Sequence, residues 1–194
     1  MSPSFVLASA SPRRRVLLQD AGYRFEVRAP KIGEISNRAL TLREIALCNA
    51  TRKTLTVARG QPEAIVLGAD TLVAIEGHVI GKPIDLQDAA AILRRLSGRT
   101  HQVCSAVFVC HLERSRALSF YEISQVRFRR LTQNAIKDYL TKVNPLDKAG
   151  AYAAQGHGSE IIERIDGSFT NVVGLPMEKT MVALRRFGIE AKRV

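Results

Sequence analysis

Apolar and polar positions alternate along this chain with two periods, one of strands and one of helices. Phe5–Ala8 is a continuous apolar run and predicts a short buried strand. Ser11 is placed to cap a helix with Pro12 as its first residue, and Val16, Leu17 and Leu18 carry that helix to a stop at Gly22. Tyr23–Val27 alternates as a strand does, and the polar, irregular Arg28–Leu40 predicts a loop. Thr41 with Glu44 three residues on is a capping-box spacing that opens a long helix to about Ala58, before Gly60 and Pro62. Ala64–Ala69 then predicts a strand that ends at Asp70, followed by a hairpin of Thr71–Ile75 and His78–Ile80 turning at Glu76-Gly77.

Beyond the hairpin, Leu86–Leu96 has the spacing of an amphipathic helix closed by Gly98. His101–Leu112 and Leu118–Phe128 predict an antiparallel pair joined by a charged turn, and Thr132 caps a short helix to Leu140. A Gly/Ala-rich segment from Pro145 to Gly158 leads into Glu160–Asp166 and Thr170–Val173, both expected to be short strands. Met177–Phe187 reads as a final helix, introduced by Pro176 and ended by Gly188. No internal repeat and no Pro-, Gly- or Ser-rich linker divides the 194 residues. The alternation of strands and helices predicts a single α/β domain over 1–194, in two lobes around a cleft.

Composition narrows the class. An apolar share of 46% and a charged share of 24% are ordinary for a soluble globular protein. No apolar run has the length of a membrane-spanning helix, and the opening MSPSFVLAS lacks the basic leader of a signal peptide, so a cytoplasmic location without membrane partners is expected. Cys48, Cys104 and Cys110 are odd in number and contain no CxxC pair, which argues against a disulfide framework or a zinc ribbon. The net charge of +11 suits nucleic acid, an anionic membrane or a small polyanionic substrate. Residues 1–59 are its main source, with 11 Lys/Arg against 4 Asp/Glu. With 6% aromatics and no Trp, a stacking platform for single strands is thinly supplied.

Several stretches carry candidate chemistry. In Ser9-Ala10-Ser11-Pro12-Arg13-Arg14 a strand passes through small residues into a helix start, where backbone N–H groups converge. Two forked guanidinium groups there suit phosphate oxygens and oppose the positive end of the helix dipole, so a ligand would relieve them; a solvated basic face is the alternative. Asp70, leaving an apolar strand in Leu67-Gly68-Ala69-Asp70-Thr71, can bind a divalent metal or hold a water, or merely turn the chain. Gly77-His78-Val79-Ile80-Gly81-Lys82-Pro83 is not a P-loop: its glycines are a residue too close and Pro83 replaces the Ser/Thr that would bind Mg²⁺. Lys82 can still act as a phosphate point charge or lie on the surface. Lys53 lies at the edge of an apolar helix face, where a snorkelling side chain is the ordinary reading, and Glu34 lies in the basic loop. Gln155 offers an amide that both donates and accepts, as a pyrimidine edge requires. His78, His101, His111 and His157 show no zinc-binding spacing, and no nucleophile motif supports acyl transfer.

Taken in order, LASASPRR (7–14), Glu34, Lys53, LGADT (67–71), GKP (81–83), LSGRTHQV (96–103), PLDKAGAYAAQG (145–156) and NVVGLP (171–176) resemble the Maf family of nucleoside triphosphate pyrophosphatases, related in fold to inosine-triphosphate pyrophosphatases. The resemblance spans essentially the whole chain. It implies a mixed twisted sheet flanked by helices, with two lobes around a central nucleotide-binding cleft. It further implies hydrolysis of a nucleoside triphosphate to the monophosphate and pyrophosphate with a divalent cation, Mg²⁺ or alternatively Mn²⁺ or Co²⁺. By that resemblance Asp70 is the proton acceptor, and Ser9, Arg14, Glu34, Lys53 and Lys82 gather around the triphosphate and metal, with Glu34 and Asp70 as metal ligands. Arg13, Thr71 and Gln155 match the residues of the branch that resembles dTTP/UTP pyrophosphatases; the branch associated with 7-methyl-GTP instead tends to carry Trp at the first of these. One departure stands out. The helix around Lys53 usually reads LAxxKA and here reads Asn49-Ala50-Thr51-Arg52-Lys53-Thr54, a change expected to bear on local packing more than on chemistry.

Two other classes remain as alternatives: a basic nucleic-acid-binding module, drawing on the net charge and on Arg127, Arg129 and Arg130, and a cell-division regulator acting through a protein partner. The enzyme reading expects no stable nucleic-acid partner and is compatible with a homodimer.

Overall fold

The computed structural model describes residues 4–37 and 39–192. Met1–Pro3 of the opening run and Arg38 of the expected loop lie outside the described residues. Strands β1 (Phe5–Leu7), β2 (Glu26–Val27), β3 (Ile65–Ile75), β4 (His78–Ile80), β5 (Thr100–His111), β6 (Arg116–Phe128) and β7 (Ile162–Asp166) form one sheet in the order β2-β1-β3-β5-β6-β7, with β4 added on β3. The sheet is mixed. β1 runs parallel to both β2 and β3, whereas β3 with β4 and β6 with β7 are antiparallel. The helices are α1 (Pro12–Asp20), α2 (Leu42–Ala58), α3 (Leu86–Leu96), α4 (Gln133–Lys142), α5 (Gly158–Ile161), α6 (Phe169–Val173) and α7 (Met177–Arg186), with one 3₁₀ turn at Ala149–Ala151. No helix among the described residues is long and apolar enough to cross a membrane.

The chain divides into two compact units. One comprises the described residues of Met1–Asp70, Ser105–Glu122 and Gly174–Val194; the other comprises Thr71–Cys104 and Ile123–Val173. In the first unit, side chains of period two separate into two cores. Phe5, Leu7, Ile65, Leu67, Val107 and Val109 pack with Leu18 of α1, Leu184 of α7 and Phe187 just after α7. Val6, Ala8, Val66 and Cys110 pack with Ala58 of α2 and the partly buried Leu55 and Val57. Strands covered on both faces must be apolar at every position, which is why β1 and the first half of β3 carry no alternation. The second unit has a single core in which Leu93 and Leu96 of α3, Ile136 and Tyr139 of α4, Val126 and Phe128 of β6, and Tyr152 meet.

Local signals placed most elements. Thr41 and Glu44 form a complete capping box, each side chain bonded to the other's backbone. Glu76 and Gly77 both take positive φ, 51° and 77°, the geometry of a two-residue hairpin turn. Several expectations change. The strands expected over Tyr23–Val27 and Glu160–Asp166 begin only at Glu26 and Ile162, the latter after α5. Ser11 stands at the N-cap of α1 but its hydroxyl makes no cap bond. Thr170–Val173 lies in a helix, not a strand, because Ser168 Oγ accepts the Asn171 N–H and the Asn171 amide donates to Val103 O and Ser124 Oγ. Asp70 does not end a strand either: β3 runs unbroken from Ile65 to Ile75 with Asp70 in its middle.

Gly68, two residues before Asp70, fixes how closely α2 approaches β3. A Cβ built there would stand 2.3 Å from Thr54 Oγ1 and 3.1–3.2 Å from backbone atoms of Thr54 and Ala50. The Thr54 hydroxyl itself donates to Ala50 O and Phe108 O. Bare backbone at Gly68 therefore brings the polar edge of the helix against the strand.

Candidate functional site

Asp70 is 2% exposed, so its charge must be met within the protein. Helix α2 supplies what meets it. Asn49, Arg52 and Lys53 recur at i, i+3 and i+4 and so share one helix face. Lys53 Nζ lies 2.6 Å from Asp70 Oδ1 and 2.7 Å from Glu34 Oε1, one ammonium joining two carboxylates. The other Asp70 oxygen accepts from Asn49 Nδ2 at 3.2 Å. Asn49 also accepts the Ile35 N–H at 2.7 Å and donates to Ile35 O at 3.1 Å, while Arg52 donates to Gly33 O at 2.9 Å. The loop that carries Glu34 is thus tied to α2 on both sides of that residue.

Arg14, at the start of α1, completes the charged set of this unit. Its Nε donates to Gly174 O at 2.9 Å and its Nη1 to Ser9 Oγ at 3.1 Å, and the same Ser9 hydroxyl accepts the Ser11 N–H at 3.2 Å. Burial lowers the Arg14 pKa; Asp70 opposes that shift, neighbouring Arg13 adds to it, and Glu34 opposes it. Arg14 therefore lies within electrostatic reach of both carboxylates. With Arg13 half-buried beside it, three cations face two carboxylates, which leaves the group one charge positive. The first turn of α1 has neither an acidic residue nor a side-chain cap, so no negative side chain meets the positive end of its dipole there.

The remaining expected residues belong to the second unit. Thr71 follows Asp70 in β3 and is half-buried, whereas Lys82 and Gln155 are exposed. The segments that carry Lys82 and Gln155 are linked through backbone: the Gly150 N–H donates to Gly81 O at 3.2 Å. Gly150 and Ala151 take φ of 75° and 61° in succession. A Cβ at Gly150 would press on the Tyr152 ring and Val73 at 3.1–3.2 Å, and Ala151, fully buried, holds a left-handed conformation at about 1–2 kcal/mol of strain. Beneath this bend, Tyr152, His101 and Phe128 contact one another edge to face, and Tyr152 Oη lies 2.8 Å from His101 Nε2. Tyr139 Oη bonds both the N–H and the carbonyl of Ala153. Gln155 thus projects from a segment whose root is fixed.

The structure accordingly assembles Ser9, Arg13, Arg14, Glu34, Lys53 and Asp70 in one unit. Lys53, a helix-edge side chain by spacing alone and a site residue by resemblance, links two carboxylates. Asn49, Arg52, His101 and Tyr152 were missed as contributors. A signal existed for Asn49, an amide on a face otherwise made by Ile45, Ala46 and Ala50. Burial pushes the Cys110 thiol up to about 11, which leaves it a packing residue rather than a nucleophile.

The model of the family described as Maf-like protein matches residues 4–187. The chain belongs to that family. Among curated relatives of this Maf-like protein, the dTTP/UTP pyrophosphatase of Bacillus pumilus is 45% identical over 184 residues, covering 95% of this chain and 96% of the relative. That of Bacillus velezensis is 43% identical over 191 residues, covering 98% and 100%. The dTTP/UTP pyrophosphatase of Akkermansia muciniphila is 41% identical over 191 residues, again covering 98% and 100%. The matched region contains every site residue named above.

Proposed function

We propose that this Maf-like protein hydrolyses dTTP and UTP to the monophosphate and pyrophosphate. The observation that carries this reading is the buried Asp70 carboxylate joined through Lys53 to Glu34, with Arg14 within electrostatic reach of both acids. Such a group presents fixed positive charge for phosphate oxygens and a carboxylate to take a proton. The names of the relatives point to the same reaction and to the pyrimidine substrates.

In the proposed reaction a water attacks the α-phosphorus in line with the bond to the β-phosphate. Its proton passes to Asp70 as the P–O bond breaks and pyrophosphate leaves. Arg14, Lys53 and Lys82 balance the charge on the triphosphate and on the departing pyrophosphate, so positioning and neutralisation supply most of the acceleration. Arg13, Thr71 and Gln155 sort the base, the Gln155 amide matching donors and acceptors of a pyrimidine edge. Ser9, held by Arg14, shapes the turn into α1.

A divalent cation fits the residues present. Glu34 and Asp70 offer hard carboxylate oxygens, the donors that Mg²⁺ or Mn²⁺ takes alongside water and phosphate. Among the described residues no group of three or more His, Cys, Asp or Glu is assembled, so further ligands would come from the nucleotide and solvent. When bound, such an ion supplies charge neutralisation on the phosphates and activation of water. We place the enzyme in the cytoplasm, acting on free nucleotides rather than on nucleic acid.

The test is a panel of standard and modified nucleoside triphosphates with Mg²⁺, separating pyrophosphate from orthophosphate. Pyrophosphate from dTTP and UTP supports the reading. Orthophosphate as the product, or no product from any triphosphate, overturns it.

A further inference from the structure

The departure at Asn49 is more than a packing change. Its side chain is 1% exposed and lies on the apolar face of α2, where Leu in the family pattern would bury without a partner. Burying an amide there is unfavourable unless its donors and acceptor are bonded. They are: the oxygen accepts the Ile35 N–H, and the nitrogen donates both to Ile35 O and to Asp70 Oδ2. Each partner is chemically distinct. Two belong to the backbone of the residue after Glu34, and the third is the carboxylate that Glu34 shares an ammonium with.

We propose that Asn49 is a positioning residue that fastens the Glu34 loop onto Asp70, so that the two carboxylates are held together before nucleotide arrives. The proposal rests on the reading of Asp70 and Glu34 as the reacting group, and deepens it. Lys53 alone cannot do this work, because an ammonium on a flexible stem binds two carboxylates without fixing their backbone. The amide does fix it: bonding the N–H and C=O of one residue leaves that residue a single orientation. Arg52 on Gly33 O steadies the same loop from the residue before Glu34, at an exposed and weaker contact.

The expected effects separate a positioning role from a merely structural one. Asn49→Leu restores the family residue and fills the volume, so its melting temperature should stay within a few degrees of the parent. Its kcat for dTTP should fall about 10–100-fold, the usual range for loss of a supporting residue, while KM stays within about threefold. Ile35→Pro deletes the N–H from the loop side without altering α2, and should reproduce the kcat loss.

Hydrogen exchange of the Ile35 amide in Asn49→Leu reads the tether without reference to activity. Faster exchange at Ile35, with the kcat loss in both variants, supports the proposal. Unchanged Ile35 exchange, or faster exchange with kcat intact, overturns it. A parent protein that hydrolyses no triphosphate, yet loses Ile35 protection in Asn49→Leu, overturns the function proposed above and leaves the tether standing.

Discussion

The two groups of candidate residues are built on opposite plans. In the first unit Asp70, Lys53, Arg14 and Asn49 are buried or nearly so; Lys53 and Asn49 are bonded to Asp70, and Arg14 to Ser9 and Gly174. In the second, Lys82 and Gln155 are exposed and their side chains make no hydrogen bond among the described residues; order lies instead in the strained Gly150-Ala151 bend and the aromatic cluster beneath it. The first plan fixes charge before a ligand arrives, which suits stabilisation of a transition state. The second fixes only the root of each side chain and leaves its tip to order on binding, at up to about 2 kcal/mol for a lysine. The buried group and the exposed side chains therefore carry different energetic signatures here.

The largest expected break is at the first group. Asp70→Asn keeps the shape and leaves Lys53 its contact with Glu34. Turnover should fall by about 10³-fold or more while nucleotide binding stays within about tenfold, read by steady-state kinetics and calorimetry. Retained full activity would sink the role given to Asp70.

Lys53→Met acts on stability as well. It strands a carboxylate that is 3% exposed with one amide donor, and the expected loss is on the order of 3 kcal/mol by denaturant unfolding. Adding Asp70→Asn to that variant should recover much of the loss, because the uncompensated charge is then gone.

At the second group, the sharpest probe lies beneath the surface. Burial lowers the His101 pKa from 6.5 to about 4. The unfolded chain takes up this proton near pH 6.5 and the folded chain only near 4. His101 thus contributes stability that is fully present above pH 6.5 and lost as pH falls toward 4, by roughly 3 kcal/mol. His101→Gln should flatten that part of the stability profile relative to the parent; parallel profiles would show that His101 charges freely in the fold.

Lys82→Ala should do least to the fold. Its melting temperature should stay within about one degree of the parent, because an exposed side chain without partners contributes little. The KM for triphosphate should nonetheless rise about tenfold, as loss of a phosphate contact requires. A stability loss comparable with that of Lys53→Met would erase the contrast between the two groups.

How much of this the sequence disclosed depended on how local the cause was. The capping box at Thr41 and Glu44, the Glu76-Gly77 turn and the Gly22 stop are set within a few residues, and each was legible. Asp70 looked like a strand end because a carboxylate in a buried strand is unfavourable alone. It continues the strand because partners 17 and 21 residues earlier, Lys53 and Asn49, meet its charge. The segment around Asn171 looked like a strand from its β-branched residues; its helix is held by bonds to Val103 and Ser124, far away in sequence. Motifs disclosed the positions of Arg14, Glu34 and Lys53 through resemblance, but not that Lys53 bridges two acids. Asn49 was read as packing, since nothing in the residues near it names Ile35 as its partner.

The hydrogen bond from Arg14 to Gly174 O spans 160 residues, and α7 packs Leu184 and the following Phe187 on Phe5 and Leu7. The first unit is thus assembled from the beginning, middle and end of the chain. During synthesis its strands β1 and β3 emerge early, yet the carbonyl that orients Arg14 and the residues that close the core arrive last. The second unit, drawn from Thr71–Cys104 and Ile123–Val173, has left the ribosome before that moment. A chain released before Gly174 is made therefore lacks the carbonyl that orients Arg14 and the side chains that close the first core.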